Sequence, residues 1–386
     1  MTSEWRQSTW GDEIVLEYGK AIRGYANTLG SVRVYGTNGP VGWCNDEPMS
    51  SGPGVILGRK GAYRGVHYSS GPFSVIDTAY YVRPLSDLDL RWVYYALIHQ
   101  RIGEIDDGSP IPSTTRSAVY ARSTQVPPVA EQRAIGEVLG ALDDKIEANR
   151  WMNESLEVVA RNVFKSWFVD FDPVRAKMKG GNTGLVPDLS AQFADHLTVQ
   201  GVPYDWKTGS LGELCTLKRG YDLPATMRET GQIPIVSSSG LSGTHSTAKV
   251  RGPGVVTGRY GTIGQVFFVN SDFWPLNTAL YVSDFRGNEP RVVYYTLCSI
   301  DYSKFADKAA VPGVNRNDLH KEPVCIAPPN VQSIFAVTLK PVWDRQNAND
   351  DQIKTLGELR DFLIPRLMSG KIRVRDGDKL VGEARG

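Results

Sequence analysis

Two glycine-punctuated segments carry the side chains best suited to hold a ligand. They are Gly58-Arg59-Lys60-Gly61-Ala62-Tyr63-Arg64-Gly65 and Gly258-Arg259-Tyr260-Gly261-Thr262-Ile263-Gly264. Arginine can bridge a guanine edge or a phosphate, and glycine turns expose backbone donors to phosphate oxygens. The same residues also make a plain turn between strands. Arg59 and Arg259, common to both segments, suit a phosphate contact. Lys60 against Tyr260, and Arg64 against Ile263 or Gly264, differ and so suit discrimination. Tyr63, Asn38, Arg116, Ser237, Ser238, Arg251 and Arg316 complete the candidate contact set.

Catalytic patterns are weaker. Pro187-Asp188 followed by Asp205-Trp206-Lys207 formally matches a metal-dependent nuclease, but the first half falls in a linker and the repeat of the second half, Glu4-Trp5-Arg6, has no Pro-Asp before it. Asp143-x-Lys145 reads as a solvated helix face. The flanks of Pro127-Pro128 and Pro328-Pro329 lack the acidic or amide residue and the aromatic of an amino-methyltransferase. Gly52-x-Gly54 with Gly58 does not have dinucleotide-fingerprint spacing, and Gly58-x-x-Gly61 follows a β run where the loop of a single-strand-binding KH module would join helices. His67, His99, His196, His245 and His320 show no ligand spacing, and neither Gly-x-Ser-x-Gly nor a phosphate-cradling GxxxxGK[ST] occurs. Cys44, Cys215, Cys298 and Cys325 are scattered, which suggests neither a disulfide framework nor a zinc site. No metal and no catalytic residue is expected.

The elements that must position the candidate contacts occur twice. GPGVILGRKG returns as GPGVVTGRYG at an offset of 200, and RWVYYALI (from Arg91) returns as RVVYYTLC (from Arg291). Near the start the offset is 201, so that Trp5, Gly11 and Leu16 meet Trp206, Gly212 and Leu217. A period of this length is a duplicated domain and not a solenoid repeat. The chain's 386 residues are 41% hydrophobic and 22% charged, with a formal net charge of +1. That is material for two or three globular cores, and charge alone does not announce a nucleic-acid partner. The absence of a leader pattern and of a long apolar run points to a soluble, cytoplasmic protein.

Each copy opens with short β runs near glycines and, after a proline pair, turns helical for about forty residues. Read as heptads, the first seam is Ile135, Leu139, Leu142, Ile146, Asn149, Asn153, Leu156, Ala160, Val163 and Trp167. The second is Phe335, Leu339, Val342, Gln346, Asn349, Ile353, Leu356, Arg360, Leu363 and Leu367. Both fit a 3.5-residue period, each helix would be roughly 57 Å long, and the natural partner of each is the other. Amides in mid-seam would fix register. Pro341 is expected to kink or delay the second helix, and Pro365 to do the same near its end.

Taken with PPVAEQRAI (Pro127 to Ile135), FKSWFVDFDPVRAKMKG (Phe164 to Gly180), its echo FLIPRLMSGKI (Phe362 to Ile372) and the long repeat, the chain resembles the specificity subunit of type I restriction-modification systems over essentially its whole length. The resemblance implies an α+β fold with a pseudo-twofold internal repeat, in which two similar β-rich target-recognition domains are joined by two long helices forming an antiparallel coiled coil. The implied domains are recognition domains at 1–126 and 201–326, helical regions at 127–175 and 327–386 including a C-terminal tail, and a linker at 176–200. It also implies a non-catalytic chain that reads a bipartite, asymmetric site on double-stranded DNA, one domain per half-site, and docks two methyltransferase subunits, through which restriction-translocase subunits join. No cofactor would be bound by this chain, while partners would use S-adenosylmethionine, ATP and magnesium. The second motif, Pro328-Pro329-Asn330-Val331-Gln332, lacks the acidic residue of the first, which weakens the inference of two equivalent docking sites. The other reading of the same residues is a non-catalytic scaffold whose paired β-domains bind a protein or another ligand.

Overall fold

The computed structural model describes residues 5–25, 30–105, 112–308 and 313–374. Two compact units emerge. One is built from the chain up to Trp151 together with the stretch from Asn349 onward, and the other runs from Met152 to Ala348.

The first unit holds the first β-rich head. Strand β1 (Arg6–Thr9) leads through the short α1 (Trp10–Glu13) into β2 (Ile14–Tyr18), followed by β3 (Val32–Gly36), β4 (Gly39–Cys44), β5 (Gly54–Gly58), β6 (Val66–Ser69), β7 (Phe73–Val75) and β8 (Ala79–Pro84). Helix α2 (Leu90–His99), helix α3 (Arg116–Tyr120) and β9 (Ser123–Val126) complete it. The strands divide into an antiparallel sheet ordered β2-β8-β5-β6, a three-stranded sheet β4-β3-β7 with β3 and β7 parallel, and the pair β1-β9 that joins the two ends of the head. Every residue of β5 is buried, as expected for an apolar run flanked on both sides within a sheet. Asp89 caps α2 by accepting from the Trp92 amide, and the helix buries Trp92, Val93, Tyr95, Ala96 and Leu97.

The second unit repeats this topology. Strands β10 (Lys207–Ser210), β11 (Thr216–Arg219), β12 (Ile233–Ser237), β13 (Gly240–His245), β14 (Gly254–Gly258), β15 (Val266–Val269), β16 (Trp274–Pro275), β17 (Ala279–Asp284) and β18 (Pro323–Ile326) form sheets β11-β17-β14-β15, β13-β12-β16 and β10-β18. Helices α7 (Leu211–Leu214), α8 (Pro290–Ser299) and α9 (Arg316–Leu319) fall between them. The duplication seen in the letters is a duplication of strand order.

Two forty-residue helices, α4 (Val129–Phe168) and α10 (Pro329–Met368), each begin in one unit and end in the other. At about 1.5 Å per residue each is roughly 60 Å long. The start of each helix and the end of the other meet in one core. In the first unit Ile135 and Leu139 of α4 join Ile364, Leu367 and Met368 of α10 around Trp10, Trp92 and Leu97. In the second, Phe335, Leu339 and Trp343 of α10 join Phe164, Trp167 and Phe168 of α4 around Tyr295 and Trp206. Within each unit the two seams therefore seal against the head as well as against each other.

Two sequence expectations change. Helix α10 runs unbroken through Pro341 and Pro365. Both prolines lie on its exposed face, and Val337, whose carbonyl Pro341 leaves without a helical donor, is 71% exposed, so water can take that carbonyl. The stretch 176–200, expected as a linker, carries packed structure of its own. Helix α5 (Asp172–Met178) enters it, α6 (Pro187–Ser190) follows, and Phe193 is buried with its ring edge-on to Trp167 at 5.0 Å. Lys177 Nζ donates to the Phe193 carbonyl at 2.6 Å and fastens the return.

Candidate nucleic-acid interface

In the first head three loops are stitched into one surface. The Gly65 amide donates to the Thr37 carbonyl at 3.0 Å, and Thr37 Oγ1 donates to the Lys60 carbonyl at 2.8 Å and the Thr78 carbonyl at 2.9 Å. The Gly61 amide reaches the Pro112 carbonyl and the Thr114 amide reaches the Arg59 carbonyl, drawing in the segment that leads to Arg116. Gly58 is required for this approach. A Cβ there would lie 2.2 Å from the Thr37 carbonyl oxygen, and at Gly258 a Cβ would lie 1.8 Å from that of Thr262. The glycines thus let backbone meet backbone, and the side chains between them are what the surface presents.

The structure gathers Asn38, Arg59, Lys60 and Tyr63 on these loops and Arg116 beside them at the start of α3, with Asn38 and Lys60 exposed and Tyr63 79% exposed. Arg64, expected as a contact that discriminates, is instead a stitch. Its Nε donates to Thr114 Oγ1, Nη1 to the Gly61 carbonyl and Nη2 to the Ile105 carbonyl, which commits the guanidinium to holding the loop.

The second head builds the same surface from other residues. The Arg259 and Tyr260 amides donate to the Thr278 carbonyl, the Ser238 amide to Thr278 Oγ1, and the Val314 amide to the Arg259 carbonyl two residues before exposed Arg316. Arg259 lies over its neighbour Tyr260 at 4.3 Å and donates from Nη2 to the phenol oxygen at 3.1 Å. Ser237 is a correction: it is 9% exposed, and its hydroxyl donates to the Gly240 carbonyl across the β12–β13 turn, so its side chain shapes the turn and offers little outward. Arg251 is exposed in a different loop, after the Val250–Phe273 bridge.

Sequence reasoning missed the aromatic residues beneath these arginines. Tyr18, 47% exposed at the end of β2, has Arg116 Cζ 3.9 Å and Arg59 Cζ 4.9 Å from its ring centroid, with buried Tyr80 behind it at 5.0 Å. Burial, then the bond from Tyr18, raises the Tyr80 phenol above its ordinary pKa, so it stays protonated. The signal available in the letters was an aromatic at the end of a strand beside the glycine loop; without the strand register it could not be placed.

All twenty seam positions are buried or half-buried. Each unit shows antiparallel pairing, since partners on α10 fall in number as those on α4 rise. In the first unit Arg360 Nη1 donates to Asp143 Oδ1 at 2.8 Å, and Asn149 Nδ2 to Gln352 Oε1 at 3.0 Å. In the second, Asn153 and Gln346 exchange side-chain-to-carbonyl bonds at 3.4 and 3.2 Å. The buried Asn149 and the half-buried Asn153 and Gln346 make these bonds only in one alignment, which penalises slippage. Asp143 also accepts from Tyr95 at 2.6 Å, so this carboxylate is part of the helix-head contact.

The proline-glutamine motif works inward. Gln132, 1% exposed, accepts from the Asp89 amide at 2.9 Å and donates to the Pro127 carbonyl at 2.9 Å. Gln332, 2% exposed, accepts from the Glu289 amide and donates to Asn288 Oδ1 and the Ala327 carbonyl, all at 2.8 Å. Glu131 accepts from Trp5 Nε1 and pairs with Arg373 at 2.8 Å, whereas Val331, at its place relative to the latch glutamine, is fully buried in the second core. The missing acid is thus replaced by packing.

Among the described residues no group of three or more His, Cys, Asp or Glu is arranged to hold a metal, and no helix is long and apolar enough to cross a membrane.

The chain is similar to known proteins in sequence and in fold. A family model described as the type I restriction modification DNA specificity domain matches residues 203–356. The type I restriction enzyme MjaIX specificity subunit of Methanocaldococcus jannaschii is 24% identical over 316 residues, covering 74% of this chain and 70% of that protein. The HindI specificity subunit of Haemophilus influenzae is 24% identical over 327 residues, covering 68% and 71%. The crystal structure of a type I restriction-modification S subunit from M. genitalium aligns with a TM-score of 0.56 at 15% identity over 94% of this chain and 96% of that one, and so shares the fold. With the doubled head and the antiparallel helix pairing in each unit, the chain is similar over about 70% of its length to specificity subunits of type I restriction enzymes, and its residues 203–356 match the DNA specificity domain of type I restriction-modification systems.

Proposed function

We propose that this chain selects the DNA sequence on which a type I restriction-modification complex acts, each head contacting one half of a split, asymmetric duplex site through its stitched loop surface. The observation that carries this reading is one strand topology present twice, with the same loops brought together and different side chains displayed on them. Two similar heads can meet the grooves of one duplex, and different displays select different half-sites. The helix pair, shared by both units, is the element suited to fix the gap between half-sites, because its mid-seam amides hold one alignment. Two methyltransferase subunits are the proposed partners of the helices, with restriction subunits joining through them. S-adenosylmethionine, ATP and magnesium would be used by those partners, and the assembly would work in the cytoplasm.

The test is the pattern of methylated adenines in a host genome expressing the chain with its methyltransferase partner. A split motif with a fixed gap is expected, and exchanging residues 1–126 for another head should change one half only. A scaffold that binds protein would leave no motif, and a motif altered in both halves by the exchange would refute the division of labour.

A further inference from the structure

The two heads share their arginines but not the seats beneath them. In the first head the Arg116 guanidinium stacks 3.9 Å above the Tyr18 ring, and its Nε is buried in that stack without a hydrogen-bond partner. Among the described residues no hydrogen bond or ion pair engages its two terminal nitrogens. Neighbouring Arg59, over the same ring, is partly committed, donating from Nη1 to the Asp77 carbonyl at 3.1 Å. In the second head the seat is gone. Strand pairing sets Tyr18 opposite Tyr80 and Arg219 opposite Leu280 at the equivalent place, so an arginine and a leucine replace the two tyrosines. There the stacked arginine is Arg259 on Tyr260, and Arg316 is exposed.

A guanidinium held flat on an aromatic ring has lost much of its rotamer freedom before a ligand arrives, while its outer edge still carries donors in a planar fork. That fork matches the O6 and N7 acceptors of guanine in the major groove, the commonest arginine-base contact. A phosphate contact needs charge but not a fixed plane.

We propose that Arg116, seated on Tyr18, is the residue by which the first head reads a guanine in its half-site, and that the Tyr18 seat makes an arginine common to both heads discriminate in one of them. This deepens the proposed function and rests on it.

The test compares methylation motifs of the full complex carrying the parent chain, Arg116→Lys, or Tyr18→Leu. Lysine keeps the charge and loses the planar fork; leucine at a half-exposed site removes the seat and leaves the arginine. Arg116→Lys is expected to let methylation spread to sites in which one guanine of the first half-site is replaced, with discrimination there falling about tenfold or more. Tyr18→Leu should relax the same position to a smaller extent. The second half-site serves as the internal control and should not change. If Arg116→Lys lowers methylation evenly and leaves the motif intact, Arg116 is a phosphate contact and the inference fails while the proposed function stands. Relaxation at a base other than guanine, or a Tyr18→Leu motif identical to the parent, also overturns it. A parent complex with no split motif overturns both.

Discussion

Replacing Gln132 by glutamate isolates the latch between the first head and its helix. The side chain is buried and does two jobs, accepting from the Asp89 amide and donating to the Pro127 carbonyl, each at 2.9 Å. Gln132→Glu preserves shape and the acceptor but removes the donor, and a carboxylate would then face a carbonyl oxygen in a dry site beside Asp89. An unmade buried hydrogen bond costs about 1–3 kcal/mol and an unpaired buried charge adds to it, so a loss of about 3 kcal/mol is expected at pH 8. Burial and the facing oxygens would push the new carboxyl's pKa above that of an unfolded glutamate. The penalty is therefore fully present above the folded-state pKa and vanishes as pH falls below the unfolded value, because the protonated acid regains an O–H donor for the Pro127 carbonyl. Urea unfolding of variant and parent at pH 8 and pH 4.5, each compared at the same pH, gives the two differences. Gln132→Leu, with no proton to regain, should cost about 2–4 kcal/mol at both. A Gln132→Glu penalty that is flat or that grows on acidification would refute the latch.

Two further outcomes follow from the packing. Glu13, 1% exposed, is held by Arg6 at 2.5 Å and by Ser8 and Ser86, and the Arg6 guanidinium is the main reason its carboxyl sits at about 2, below the usual range. The contribution, about 2 kcal/mol with Arg6 half in solvent, is present above the unfolded carboxylate value and lost as pH falls through about 2, so Glu13→Gln should flatten the acid limb of the stability curve; an unchanged limb would count against it. Phe335→Ala removes a ring within 6.0 Å of Phe164, Trp167, Phe168, Tyr295 and Trp343, and about 3–5 kcal/mol of stability should be lost, with hydrogen exchange rising in the second unit. Exchange rising only in the first unit would refute that assignment of the core.

Much of the architecture was legible because it rests on periodicity. The heptad spacing from Ile135 to Trp167 and from Phe335 to Leu367 marks the faces that are buried, and the repeat marks the strands that recur. What stayed hidden depends on three-dimensional neighbours. Each head's division into two main sheets and a terminal pair follows from pairings such as β3 with β7, between residues that share no local pattern. Pro341 reads as a break in any window of letters, yet it falls where the freed carbonyl can meet water. Arg64 and Ser237 have the composition of contacts but are used up by neighbouring carbonyls, and Tyr18 gained its interest only from arginines 41 and 98 residues away. For Phe193, a stretch rich in glycine and polar residues conceals a buried anchor.

The way α10 finishes the first core has a kinetic consequence for biosynthesis. Trp10 and Trp92 leave the ribosome early, but Ile364, Leu367 and Met368, which cover them, are translated roughly 240 residues after Val126. At about 5–20 residues per second that is a delay of about 12–50 s during which the apolar start of α4 has no helical mate from its own chain. A nascent head in this state presents a sticky stripe, so yield should depend on chaperone supply and on translation speed between the two heads more strongly than the finished protein's stability alone would suggest.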